Sequence, residues 1–363
     1  MDHSRSLVAP TADPPLERAL RDKLARRNDD SGSLGELEPL ALRIGLMQGS
    51  LKPRFHEPQL LIFAADHGLA VDGLHGALRY TTDELVRRLL AGRLPLAVFA
   101  RAGGLDFTVV DCGVADTLPA HERLLARKIA HGTRNPRVAA AMSVPQAHAA
   151  MRAGMEIGDQ LRGNLTICAG LGVGSQESAA LLLSRITELP LRALLETGPL
   201  MSPDELAHQL AIAQAALARH REVAEPVELL AALGGFEVAV MVGVMLMAAS
   251  KRQLLMIDGL AACAALAMAA RIAPPVLDYC VFSRSREHRG LDLTHKHFRA
   301  ATLPDLGLDG LDGTGAVLGW PLVRSAAALL TEVAEGEDAG PTRPGPLDDG
   351  DRGADFFPST LGY

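Results

Sequence analysis

The chain has 363 residues, a formal net charge of -7 and a pI near 6.0, a balance that argues against a nucleic-acid-binding surface. A small anionic ligand is still compatible, because a phosphate site needs a few local donors and not a basic protein. Hydrophobic residues make up 48 % and charged residues 22 %, enough for one large domain with a substantial core or for two, in a composition that favours helices and α/β layers.

Residues 1–30 are polar throughout, lack the apolar core of a signal peptide and read as a loose, flexible, partly helical leader. Leu37, Leu40, Ile44, Met47 and Leu51 then recur at helical spacing, which predicts an amphipathic helix. The run at 59–68, QLLIFAADHG, predicts a buried parallel strand whose carboxyl end meets a ligand crevice at Asp66 and His67. Similar strands are predicted at 105–114, at 164–174 running into a glycine-rich turn and a helix from about Gln176, at 254–259 and at 277–283. Helical patterns lie over 82–102, 144–162, 203–218, 235–249 and 261–270.

Strands alternating with helices predict a doubly wound α/β fold with a parallel sheet covered on both faces. The most hydrophobic stretch, 238–249, ends before Ser250, Lys251 and Arg252, and the next is cut by Asp258 and Gly259. Neither reaches the roughly 20 apolar residues that span a bilayer, so no membrane partner is expected. Met241, Met245 and Met247 read as core packing residues, and His295 and His297 as a surface HxH. Residues 332–363, rich in Gly, Pro and Asp, read as a disordered tail. Cys112, Cys168, Cys263 and Cys280 are far apart with no CxxC pair, which points to reduced buried thiols in a cytoplasmic protein. No metal and no cofactor is expected.

Five segments in order carry a resemblance. They are Ser31-Gly32-Ser33-Leu34-Gly35-Glu36-Leu37-Glu38; Ala65-Asp66-His67-Gly68; Val110-Asp111-Cys112-Gly113-Val114 with Gly132-Thr133-Arg134-Asn135 and Ala141-Met142-Ser143; Leu233-Gly234-Gly235-Phe236-Glu237 with Gly243–Ala249 and Asp258-Gly259; and Asp312-Gly313-Thr314-Gly315-Ala316. Together they resemble the nicotinate-nucleotide–dimethylbenzimidazole phosphoribosyltransferase family. The resemblance implies transfer of phosphoribose from nicotinate mononucleotide to a benzimidazole, in the synthesis of the lower ligand of cobamides. It also implies a large α/β part, approximately 56–289, and a small helical part from approximately 31–55 and 290–331. A homodimer, or a heterodimer with a paralogue, is implied as well.

The incoming base must lose a ring proton as it attacks, which calls for a carboxylate within hydrogen-bond reach. The resemblance gives that role to Asp312, where family members carry glutamate; aspartate is shorter by about 1.5 Å of reach. Read without the family, Asp312 is a turn or N-cap residue. Phosphate and ribose contacts are expected at Gly172, Gly174, Ser175, Gly198, Ser285, Gly313 and Thr314. The acceptor base is expected against Ala77, Leu85 and Leu311, with Asp66, His67, Glu237 and Asp258 lining the site.

Several positions depart from the family pattern. Gly170 stands where the family has a second glutamate, Gln209 where it has a lysine, and Arg284 where it has a histidine. Ala77 and Leu85 replace polar residues, which suggests a different or less polar acceptor. Arg284 or Ser285 is a candidate phosphate contact, or else part of a solvated basic loop. Because Gly170, Gln209 and Asp312 depart together, a second reading stays open: a catalytically weak or silent homologue that binds a ligand or serves as a partner subunit.

Overall fold

The computed structural model describes residues 7–73, 80–196 and 201–333. Two helices, α1 (Pro14–Ser31) and α2 (Leu37–Gln48), precede the first strand, β1 (Gln59–Ala65). Next come α3 (Thr82–Leu90), α4 (Pro95–Ala102), β2 (Asp106–Gly113) and the short β3 (Leu124–Ala126). α5 (Val144–Gln160) leads into β4 (Leu165–Leu171), followed by α6 (Ser175–Thr187), α7 (Leu191–Leu195), α8 (Pro203–Arg219), α9 (Pro226–Leu233) and α10 (Phe236–Ser250). β5 (Leu254–Asp258), α11 (Leu260–Ile272), β6 (Cys280–Ser283), α12 (Arg289–His297) and α13 (Thr314–Thr331) complete the order.

The strands form one parallel sheet in the order β3-β2-β1-β4-β5-β6. From β1 the chain winds outward to β3, then returns past β1 and winds the other way to β6. That reversal sets a crevice at the carboxyl ends of β1 and β4, the usual place for a ligand in a doubly wound sheet. Every residue of β1 after Gln59 is buried, as a strand covered on both faces requires. Edge strand β3, missed in the sequence, is only three residues long (Leu-Leu-Ala) with none of them fully buried, so its apolar run is too short to mark a strand.

α10 is buried on nearly all sides and packs against α5 through glycines. A β-carbon on Gly154 would lie 2.0 Å from the Val240 carbonyl oxygen, and one on Gly243 would lie 2.0 Å from that of Met151. Met241 and Met245 are fully buried in α10, as their apolar run predicts, while Met247 is half-buried.

Two expectations are corrected. The leader read as loose forms α1, which carries Leu16, Leu20 and Leu24 at four-residue intervals. Leu20 and Leu24 are buried, Lys23 donates to the Leu51 carbonyl at 3.1 Å, and Arg27 donates to the Leu329 carbonyl in α13. A narrow apolar stripe in a polar segment was enough to dock it. The helix predicted over 82–102 is broken into α3 and α4 at Gly92 and Leu94. Leu94 is extended (ψ 148°) because the following proline disfavours a helical conformation there. The expected tail lies, from residue 334 on, outside the described residues. Among those described, no helix is long and apolar enough to cross a membrane.

Candidate active site

The carboxyl ends of β1, β4, β5 and β6 and the loop before α13 bring the polar residues together. Asp312 sits in that loop, only 8 % exposed. Burial pushes its carboxyl up to about 7, against the pull of Arg286 and with the help of the Asp258 carboxylate. The Arg286 Nε lies 3.7 Å from Asp312 Oδ1, and the same guanidinium donates to the Gly310 carbonyl at 2.8 Å. A carboxylate tuned near neutrality and held in a crevice is suited to take a proton.

Asp258, at the end of β5, is fully buried. Its Oδ2 accepts from Ser285 Oγ (2.7 Å) and from the Ala316 N–H (2.9 Å), and Ser285 Oγ accepts from the Gly315 N–H (2.9 Å). Asp258 and Ser285 therefore anchor the amino end of α13, directly after Asp312, where a negative charge also complements the helix dipole. Burial raises the Asp258 pKa in spite of these donors. Thr314 closes the same turn, its hydroxyl donating to the Leu311 carbonyl at 2.7 Å. Leu311 is half-buried and Gly313 is buried beside Ala169 of β4.

The glycine turn after β4 is pressed against the end of β1: a β-carbon on Gly172 would lie 1.8 Å from the Ala65 carbonyl oxygen, so no side chain fits. Gly174, left-handed at φ 83°, caps α6. Two side chains pin this turn. Thr82 Oγ1 accepts from the Val173 N–H at 3.0 Å and donates to Asp66 Oδ1, while Asp66 Oδ2 accepts from the Ala115 N–H at 2.7 Å. On the other side, Ser175 Oγ donates to Glu237 Oε1 at 2.9 Å, and the same oxygen ion-pairs with His67 Nε2 at 3.0 Å. His67, Glu237 and Ser175 are all buried. Burial alone would lower the His67 pKa, but Glu237, Asp66 and Glu177 outweigh it and hold the imidazolium above its ordinary value.

One of the departures, Gly170, has a steric reason. A β-carbon on Gly170 would lie 2.5 Å from that of Ala261, so a glutamate has no room there. Glu177 is buried in the first turn of α6 and adds to the negative potential at His67. Gln209 is buried in α8, and its Oε1 has no hydrogen-bond partner among the described residues. Leu85 is buried in α3; Ala77 and Gly198 lie outside the described residues.

Arg284 is not free for a phosphate, being ion-paired with Asp292 and, at 2.7 Å, with Asp305. The solvated basic loop is thus corrected to an ion-paired corner, and the Ser285 hydroxyl is likewise engaged. Arg284 also lines a cavity of about 890 Å³ with Ser283, Asp292, His295 and Lys296, but that lining includes neither the glycine turn nor Asp312. The HxH reading is half corrected: His297 is exposed, but His295 is buried edge-on to Phe282 (5.3 Å), and burial lowers it to about 4.

Sequence reasoning missed Thr82, whose hydroxyl sits at the centre of the turn's support. The only signal was the capping box of Thr81 and Glu84 that starts α3, which names the neighbouring threonine. Among the described residues no group of three His, Cys, Asp or Glu is placed to hold a metal ion, and the four cysteines are buried and free.

A doubly wound sheet with a glycine turn and a near-neutral carboxylate at its switch point has the parts a phosphoribosyl-transferring enzyme needs, and a family model described as phosphoribosyltransferase matches residues 9–340. Two proteins named nicotinate-nucleotide–dimethylbenzimidazole phosphoribosyltransferase, from Cupriavidus taiwanensis and Variovorax paradoxus, are 41 % and 38 % identical over 334 and 331 residues. The matches cover 90 % and 91 % of this chain and 96 % and 95 % of theirs. The crystal structure of the enzyme of that name from Thermus thermophilus superposes with a TM-score of 0.83 at 30 % identity, covering 92 % of this chain and all of that one. The chain belongs to the nicotinate-nucleotide–dimethylbenzimidazole phosphoribosyltransferase family.

Proposed function

We propose that the chain transfers phosphoribose from nicotinate mononucleotide to 5,6-dimethylbenzimidazole or a related aromatic base, with Asp312 as general base. The observation that carries this reading is the Asp312 carboxyl, buried in the crevice with its pKa pushed up to about 7. In the reaction the acceptor's ring N–H proton passes to Asp312, and the freed nitrogen pair forms the bond to C1′. The bond from C1′ to the pyridinium nitrogen breaks, and its electron pair neutralises the ring as nicotinate leaves. The product is an α-ribazole 5′-phosphate.

Phosphate is held at the glycine turn, at the amino end of α6, where the helix dipole and first-turn N–H groups favour an anion; the Ser175 N–H itself closes the turn onto the Gly172 carbonyl at 3.2 Å. Gly172 and Gly174 admit the phosphate closely, and Ser175, whose hydroxyl is donated to Glu237, holds the turn in shape. Gly313 and Thr314 complete the phosphate and ribose side at the amino end of α13, which Ser285 holds in place through Asp258, and the family pattern assigns Gly198 to the same side. Leu85 and Leu311 are the apolar residues proposed to meet the flat base, with Ala77 assigned to it by the family pattern alone, and Asp66, His67, Glu237 and Asp258 support the two sides.

The silent-partner reading is not favoured. Burying a titratable carboxylate opposes stability, and a protein without chemistry to do has no use for it. We take the functional unit to be a large part of approximately 56–289 with a small helical part of 31–55 and 290–331, cytoplasmic, and paired as a homodimer or with a paralogue. The reduced thiols support the compartment; light scattering at twice or once 38.4 kDa decides the pairing.

The test is chromatography of the purified protein with nicotinate mononucleotide and 5,6-dimethylbenzimidazole, beside Asp312→Ala. Nicotinate and a ribotide appear with the first and not with the second. No product with this base or with a panel of benzimidazoles, purines and phenols rejects the reading.

A further inference from the structure

Thr82 joins two parts of the crevice that lie 91 residues apart in the chain. It is the first residue of α3 and is 1 % exposed. Its hydroxyl has one proton, and that proton goes to Asp66 Oδ1, an oxygen that as carboxylate can only accept. The hydroxyl's lone pair is thereby turned towards the Val173 N–H, which it meets at 3.0 Å. Asp66 is itself fixed: its other oxygen accepts from the Ala115 N–H at 2.7 Å, and its carbonyl accepts from the Thr133 N–H at 3.0 Å.

What the two ends of this bridge carry gives it meaning. Val173 lies between Gly172 and Gly174, in the turn that receives the phosphate. α3 carries Leu85 one turn beyond Thr82, buried on the side assigned to the acceptor base. The described residues give the Val173 N–H no other partner, so one hydroxyl sets the distance from α3 to the turn.

We propose that Thr82 is a positioning residue that locks the acceptor-side helix to the phosphate-binding turn, so that each substrate binds better when the other is present. The proposal rests on the transferase reading and deepens it. Thr82 touches neither substrate and acts through Val173 and Leu85. Valine at this place keeps the shape and loses both hydrogen bonds; serine keeps the hydroxyl.

Initial rates over a matrix of nicotinate mononucleotide and 5,6-dimethylbenzimidazole concentrations test this for the wild type, Thr82→Val and Thr82→Ser, with melting temperatures measured alongside. In the wild type the KM for each substrate falls as the other rises. Thr82→Val raises both KM values together, by about tenfold for one to two lost hydrogen bonds, and makes each independent of the other. Thr82→Ser restores the dependence. Should the valine variant not fold, Thr82→Ala, which leaves space for a water, takes its place with the same expectation. A lowered melting temperature with unchanged kinetic constants overturns the proposal, as does a rise in one KM alone or a failure of serine to restore the dependence. A wild type that forms no product overturns the transferase reading, and this proposal with it.

Discussion

The Asp312 carboxyl group lies against the α-carbon of Gly259: a β-carbon added there would be 2.1 Å from Oδ2 and 2.3 Å from Cγ. Gly259 also has φ 94°, a conformation that disfavours any side chain. Gly259→Ala therefore displaces the proposed base or strains the turn after β5. We expect a loss of at least about a hundredfold in kcat/KM, since small displacements of a catalytic group weigh heavily. Initial rates in a variant whose circular dichroism is unchanged check this; near-normal kcat/KM would show that Asp312 is not the base.

As the proposed base, Asp312 should set the acid side of the pH dependence. The group must be ionised to accept a proton, so kcat falls below pH about 7 with unit slope. A profile flat from pH 5 to 9 would count against it.

The same burial makes a stability prediction of definite sign. The folded-state pKa, about 7, lies above the ordinary 3.8, so between these values the folded protein keeps a proton that the unfolded chain has lost. Stability from this group is full below 3.8 and is lost as pH rises through about 7. Asp312→Asn, which does not titrate, should melt higher than the wild type at pH 8, with the difference shrinking towards pH 4. Calorimetry across that range gives the answer.

Glu237 lies 3.0 Å from the buried His67 ring and raises its pKa. Glu237→Ala leaves His67 unpaired and should destabilise the fold by about 3–5 kcal/mol. The raised His67 pKa means that the pair's stabilisation is present below the ordinary 6.5 and fades as pH rises through the raised value. The gap between wild type and Glu237→Ala in urea melts should accordingly narrow on the alkaline side. A constant gap from pH 6 to 10 would contradict the ion pair.

Gly154→Ala probes the seam between α5 and α10. The methyl group meets the Val240 carbonyl at 2.0 Å, and forcing the helices apart should cost about 1–3 kcal/mol. A urea midpoint as high as the wild type's would mean that the helices part without strain.

Much of this was legible in the sequence. Apolar runs ending in Asp66, Gly113, Gly174 and Asp258 mark strands whose carboxyl ends share a crevice, because a parallel sheet buried on both faces needs continuous apolar segments and puts its polar residues at the ends. The order of these runs, with helical patterns between them, determined the doubly wound class, and the motif around Asp312 marked it as the candidate base. What only the tertiary structure decided is where side-chain charge and hydrogen bonds go. Arg284 looked available until Asp292 and Asp305 were found beside it, and Ser175 and Ser285 until their hydroxyls were found on Glu237 and Asp258. Thr82 gave no signal of its own, because a hydroxyl's role depends on partners 16 and 91 residues away. The near-neutral Asp312 has the same origin: local sequence supplies the carboxyl, but burial by distant elements sets its affinity for a proton.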